Sequence, residues 1–77
     1  MEDNKAFKIV EEFGVLSETV GNGWRVEFNL VSWYDRAPKY EIRSWAPYHA
    51  AAGKGYTLTN EQVLRLKEVL NNAEIHR

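Results

Sequence analysis

The sequence predicts an α+β fold in which four strands precede a single C-terminal helix, and three observations carry that expectation. Apolar and polar residues alternate with period two through Trp24 to Tyr34 and again from Lys39 to Ala46. A Gly21-Asn22-Gly23 turn stands before the first of these runs, ready to close a hairpin. Near the end, Thr59 and Gln62 have the spacing of a capping box, and apolar residues then recur at helical intervals.

The first strand is expected from about Phe7 to Ser17, with Phe7, Ile9, Phe13 and Val15 on one side and Val10 and Leu16 on the other. These two faces are not cleanly separated, and Gly14 marks the place where a bend or bulge would disturb them. In the second strand, Trp24, Val26, Phe28, Leu30 and Tyr34 face one way, while Arg25, Glu27, Asn29, Val31 and Trp33 face the other. After Asp35-Arg36-Ala37-Pro38 the third strand places Tyr40, Ile42 and Ala46 on an apolar side, with Lys39, Glu41, Arg43 and Trp45 opposite. Pairing as a hairpin requires the odd-numbered residues of both strands to share one face, because a slip of one residue would exchange core and solvent sides. Pro47 ends this strand. Tyr48 to Gly53 reads as a loop in which Ala50-Ala51-Ala52 could form a short helical turn, and Gly53-Lys54-Gly55 leads into a brief strand, Tyr56 to Leu58. The helix should begin at Asn60, with Leu58 and Val63 placed as a hydrophobic staple and with Val63, Leu66, Val69, Leu70 and Ala73 on one stripe. Leu64 lies off that stripe and marks a second contact surface.

At 77 residues without cysteine, the chain has room for one domain, residues 1–77 with an ordered core at about 6–72, and none for disulfide staples. Its 44% apolar and 27% charged content is that of a folding globular chain. A lone core of this size rarely supplies more than ~5 kcal/mol, so a second copy of the chain is an expected partner. The polar, acidic start from Met1 to Lys5 and the lack of any apolar run near ~18 residues point to no membrane association and to a cytoplasmic home.

Function is sought on the odd-numbered face. Arg25, Lys39 and Arg43 share it with Trp33 and Trp45, and a sequence that aims two indoles away from its own core needs another partner for them. A nucleobase is such a partner: stacking contributes ~1–3 kcal/mol per base without reading its identity, and interleaved cations hold phosphate. Unpaired strands fit better than a duplex, whose bases are already stacked. The net charge of −1 and pI near 6.1 oppose a strongly basic binder. The same indoles could instead cover a second small core or meet a protein partner, and Glu27 and Glu41 could neutralise the neighbouring cations. Two histidines, scattered carboxylates and no cysteine offer neither a metal site nor a nucleophile with its base, so no catalytic residue, cofactor or small-molecule substrate is expected. His49 reads as a solvated loop residue. Lys54 between two glycines lacks the spacing of a nucleoside-triphosphate loop.

The segment from Lys39 to Leu70, with Ile42-Arg43 followed by Trp45, then Gly53-Lys54-Gly55, Leu58 and a capped helix opening Asn60-Glu61-Gln62, resembles the single-stranded-DNA-binding domain of the eukaryotic coactivator positive cofactor four. Val31-Ser32-Trp33 with Pro38-Lys39-Tyr40 brings it closer to the bacterial YdbC-like branch of that family. The resemblance implies a curved antiparallel sheet, a homodimer joined largely through the helices, and binding of single-stranded DNA, or RNA, in transcription or DNA maintenance. By position it assigns Arg43 and Lys54 to phosphate contacts and Trp45 to stacking; Arg25, Asn29, Trp33 and Lys39 join them on geometry alone. The chain departs from the eukaryotic pattern in a shorter approach to the glycines, fewer basic residues there and no serine- or lysine-rich arm. A protein-interaction module using the aromatic face is the alternative.

Overall fold

The computed structural model describes residues 6–76; the polar start at Met1 to Lys5 lies outside the described residues. Four strands form one antiparallel sheet in sequence order: β1 (Phe7–Glu18), β2 (Arg25–Trp33), β3 (Lys39–Trp45) and β4 (Ala52–Leu58). One helix, α1 (Asn60–Asn72), follows. The ββββα order and the antiparallel sheet agree with the expectation.

β1 explains its own mixed pattern. Its pairing with β2 slips three times, and each slip leaves one extra residue on β1: Val10, Phe13 and Leu16. Every bulge bends a strand and increases its twist. Bulges at intervals of three send Phe13 to the even-numbered face, where its ring lies 5.2 Å from Phe28 and 5.9 Å from Tyr40. Leu16 joins it there beside Phe28. Phe7, Ile9 and Val15 pair with Trp33, Val31 and Glu27 on the odd-numbered face. The expected grouping of Phe13 with Phe7 is therefore corrected: one irregularity was expected at Gly14, and three are present.

The β1–β2 connection uses positive φ at Gly21 (106°) and Gly23 (77°), and the Asn22 side chain accepts a hydrogen bond from Trp24 N at 2.9 Å. β2 and β3 pair without a slip, Arg25 opposite Trp45 and Glu27 opposite Arg43, so their odd-numbered residues share a face as the alternation requires. Their turn is made by Tyr34 (φ 53°) and Asp35 (φ 61°), closed by Arg36 N donating to Trp33 O at 2.9 Å. Two successive residues of positive φ suit the right-handed twist of a hairpin, although glycine or asparagine usually supplies them.

After β3 a 3-10 turn forms at Pro47–His49 rather than at the three alanines, because proline pre-sets its first φ, and Ala52 already belongs to β4. β4 is thus longer than expected. Its glycines are needed: a Cβ at Gly53 would stand 2.9 Å from the Trp24 ring, and one at Gly55 would stand 2.7–2.8 Å from the Arg43 side chain. Both side chains lie directly across the β4 backbone.

α1 starts at Asn60 under the expected capping box: Thr59 Oγ1 accepts from Gln62 N at 3.0 Å, and Gln62 Oε1 accepts from Thr59 N at 2.9 Å. The helix touches β3 and β4, yet none of its residues is buried. Val63, Leu66 and Leu70 face Leu16, Phe28 and Ile42 across an apolar cleft of about 330 Å³. Among the described residues the only buried apolar side chains are Val31, Trp45 and Leu58. The radius of gyration is 14.0 Å, whereas a compact chain of this length would have about 11–12 Å. Leu16, Leu66 and Leu70, which line the cleft, remain exposed, so a single chain is open on its even-numbered face. No helix among the described residues is long and apolar enough to cross a membrane.

Candidate nucleic-acid interface

The odd-numbered face, expected to stand in solvent, is the more deeply buried side of the sheet. Glu27, Asn29, Val31, Glu41 and Trp45 are all buried on it. The expectation that Trp33 and Trp45 would both be exposed is corrected for Trp45, which is 1% exposed. Three neighbours seal it. Phe7 packs its ring 4.8 Å from Trp45, His49 meets it edge-on at 5.1 Å, and the parallel indole of Trp33 lies 6.2 Å away. Asn29, also 1% exposed, is likewise out of reach of a ligand. Trp45 Nε1 and Asn29 Oδ1 are buried with no hydrogen-bond partner among the described residues.

Two carboxylates organise this face. Glu41 Oε2 accepts from Trp33 Nε1 at 2.8 Å and from Arg43 Nη2 at 3.3 Å, while its Oε1 accepts from Arg43 Nε. Arg43 Nη1 donates to Gly53 O at 2.9 Å, and the guanidinium covers the Trp33 ring 4.9 Å from its centre. Arg43 is therefore spent largely on holding Trp33 in place. Glu27 Oε1 accepts from Asn29 Nδ2 at 2.9 Å and meets His49 Nε2 at 2.8 Å, and Arg25 reaches Oε2 at 3.2 Å. Burial pushes the Glu27 carboxyl up, but the hydrogen bonds from Asn29 and His49 and the charges of His49 and Arg25 outweigh it and hold the group below its ordinary value. His49 is thus a structural partner of Glu27 and Trp45, not the solvated loop residue expected.

What stays open is the outer edge of the indole pair. Half-buried Trp33, exposed Tyr34, Arg36, Lys39 and Arg43 line a hollow of about 450 Å³ at the β2–β3 turn. Arg36 sits 5.8 Å from the Tyr34 ring centre, and neither Arg36 nor Lys39 makes an ion pair among the described residues. Of the seven residues expected at a site, Trp33, Lys39 and Arg43 come together here. Arg25 lies at the far end of the β2–β3 ladder in its pair with Glu27, and Lys54 is exposed on the edge strand β4. Tyr34 and Arg36 were missed by the alternation argument because they belong to the turn; an aromatic residue and an arginine directly after Trp33 were the available signal. Among the described residues no group of three or more His, Cys, Asp or Glu side chains could hold a metal ion.

These features define a ββββα protein with a cationic, aromatic hollow at one end of its sheet. No established family profile matches the chain. It is 38% identical over 73 residues to an uncharacterized protein of Treponema pallidum (strain Nichols), an alignment that covers 95% of this chain and 85% of that protein. The chain belongs to the same family as the Treponema protein.

Proposed function

We propose that the protein binds single-stranded nucleic acid, DNA in the first instance, with little base specificity, and that it does so as a homodimer of the positive cofactor four type. The observation that carries this reading is the hollow in which Trp33 and Tyr34 stand beside Arg36 and Lys39. Aromatic faces take unstacked bases of any identity, and Arg36 and Lys39, which make no ion pair among the described residues, are available to phosphate. Trp33 is held in a fixed orientation, since Glu41 accepts from its edge and the Arg43 guanidinium lies against one face, which leaves its outer side to a base. The burial of Trp45 moves the stacking role to Trp33 and Tyr34 and leaves Trp45 as the floor beneath them.

Dimerisation is supported by the open even-numbered face. A helix with four apolar residues on one stripe and none buried, above an apolar cleft, lacks the cover that a second copy would supply. The protein would serve in transcription or DNA maintenance, without catalysis.

Titration with oligo-dT and with the matching duplex at two salt concentrations tests the reading. Tryptophan fluorescence should be quenched by the single strand far more than by the duplex, and log affinity should fall with log salt by about 0.7 per phosphate neutralised. No quenching at low salt overturns it. Affinity that ignores salt would favour a protein partner on the aromatic face instead.

A further inference from the structure

Tyr48 is 97% exposed, yet the chain holds it in place at a conformational cost. Its backbone lies in the left-handed region (φ 58°, ψ 21°), and so does that of the next residue, His49 (φ 56°). For residues other than glycine each such position costs of the order of 1–2 kcal/mol. The turn is fixed by Pro47, by His49 N donating to Ala46 O at 2.9 Å and Ala50 N donating to Pro47 O at 3.1 Å, and by the His49 ring locked between Glu27 and Trp45. None of these contacts uses the Tyr48 ring.

Tyr34 offers the parallel. It too is an exposed tyrosine of positive φ, and it borders the same aromatic cluster at its other side, its ring 6.3 Å from Trp33. The cluster runs without a break from Tyr34 through Trp33, Trp45 and His49, with Phe7 against both indoles. At its far end Tyr48, Lys8, Phe7 and Glu12 line a second hollow of about 260 Å³.

We infer that Tyr48 is a second base-stacking platform, so that a single strand bound at Trp33 and Tyr34 continues across Phe7 to the Pro47–His49 turn. This inference rests on the nucleic-acid reading above and extends its footprint. Glu12 disfavours a phosphate on its side of the hollow, so the group that meets Tyr48 there is the neutral base and not the backbone.

The test uses Tyr48→Gly in the full chain, because glycine removes the ring and relieves the positive φ, so folding is kept or improved. Affinities for a short oligo-dT of about 6 nucleotides and a long one of about 20 are compared by anisotropy of an end-label, a range spanning known single-strand site sizes. The long strand should lose about 5- to 100-fold in affinity while the short strand, held at Trp33, is unchanged. Tyr48→Phe should bind both as the parent does. Equal affinity of Tyr48→Gly and parent for the long strand overturns the inference while leaving the function intact. Failure of the parent to bind either oligonucleotide overturns the function, and this extension with it.

Discussion

The indole of Trp33 donates from Nε1 to Glu41 at 2.8 Å, and the same carboxylate binds the Arg43 guanidinium that covers the Trp33 ring. A buried acid thus fixes both the edge and the face of the ring that borders the main hollow. Trp33→Phe keeps an aromatic face but removes the donor. It should cost about 1 kcal/mol in urea unfolding and reduce oligo-dT affinity only a few-fold, whereas Trp33→Ala should lose about 5- to 100-fold in affinity. Equal binding by the alanine variant would remove Trp33 from the interface.

Arg43 and Lys39 line one hollow and should respond differently. Arg43→Ala leaves Glu41 buried without its cation, so it should destabilise the fold by about 3–5 kcal/mol. Lys39→Ala should leave the melting temperature unchanged and reduce the salt slope of binding by about 0.7. Thermal melts and salt titrations of the two variants separate these outcomes.

Gly55→Ala tests the same device from the backbone. The new methyl would lie 2.7–2.8 Å from Arg43 Cβ, Cγ and Cζ, and the side chain can escape only by leaving Glu41. A loss of about 1–3 kcal/mol is expected by denaturant unfolding.

Glu27 links stability to acid. Its folded-state pKa lies below the ordinary value of 4.5, so the unfolded chain binds the proton more readily. The stabilisation is complete above that ordinary value and is lost as pH falls through the lower folded value. Melting temperature measured downward from neutral pH should show this fall in the parent. Glu27→Gln should melt lower at neutral pH and show a shallower acid slope.

The even-numbered face provides the test of assembly. Leu70 lines the apolar cleft and is exposed in one chain, so Leu70→Glu should shift the mass in light scattering from dimer to monomer and lower the melting temperature. A parent that is monomeric at high concentration would remove the dimer from the proposal.

Local chemistry alone determined much of this protein. Period-two alternation in β2 and β3 set their register, glycines placed the first turn, and Thr59 with Gln62 started the helix at Asn60. Each of these depends on residues close in sequence or directly paired. Tertiary structure decided which face is sealed and which indole remains open to a ligand. Trp45 is covered by Phe7, two strands away in the sheet and far away in the chain, and three bulges settle which β1 side chains reach which face. Alternation tells that two faces differ, but burial depends on what crosses them, and that is fixed only when distant segments meet.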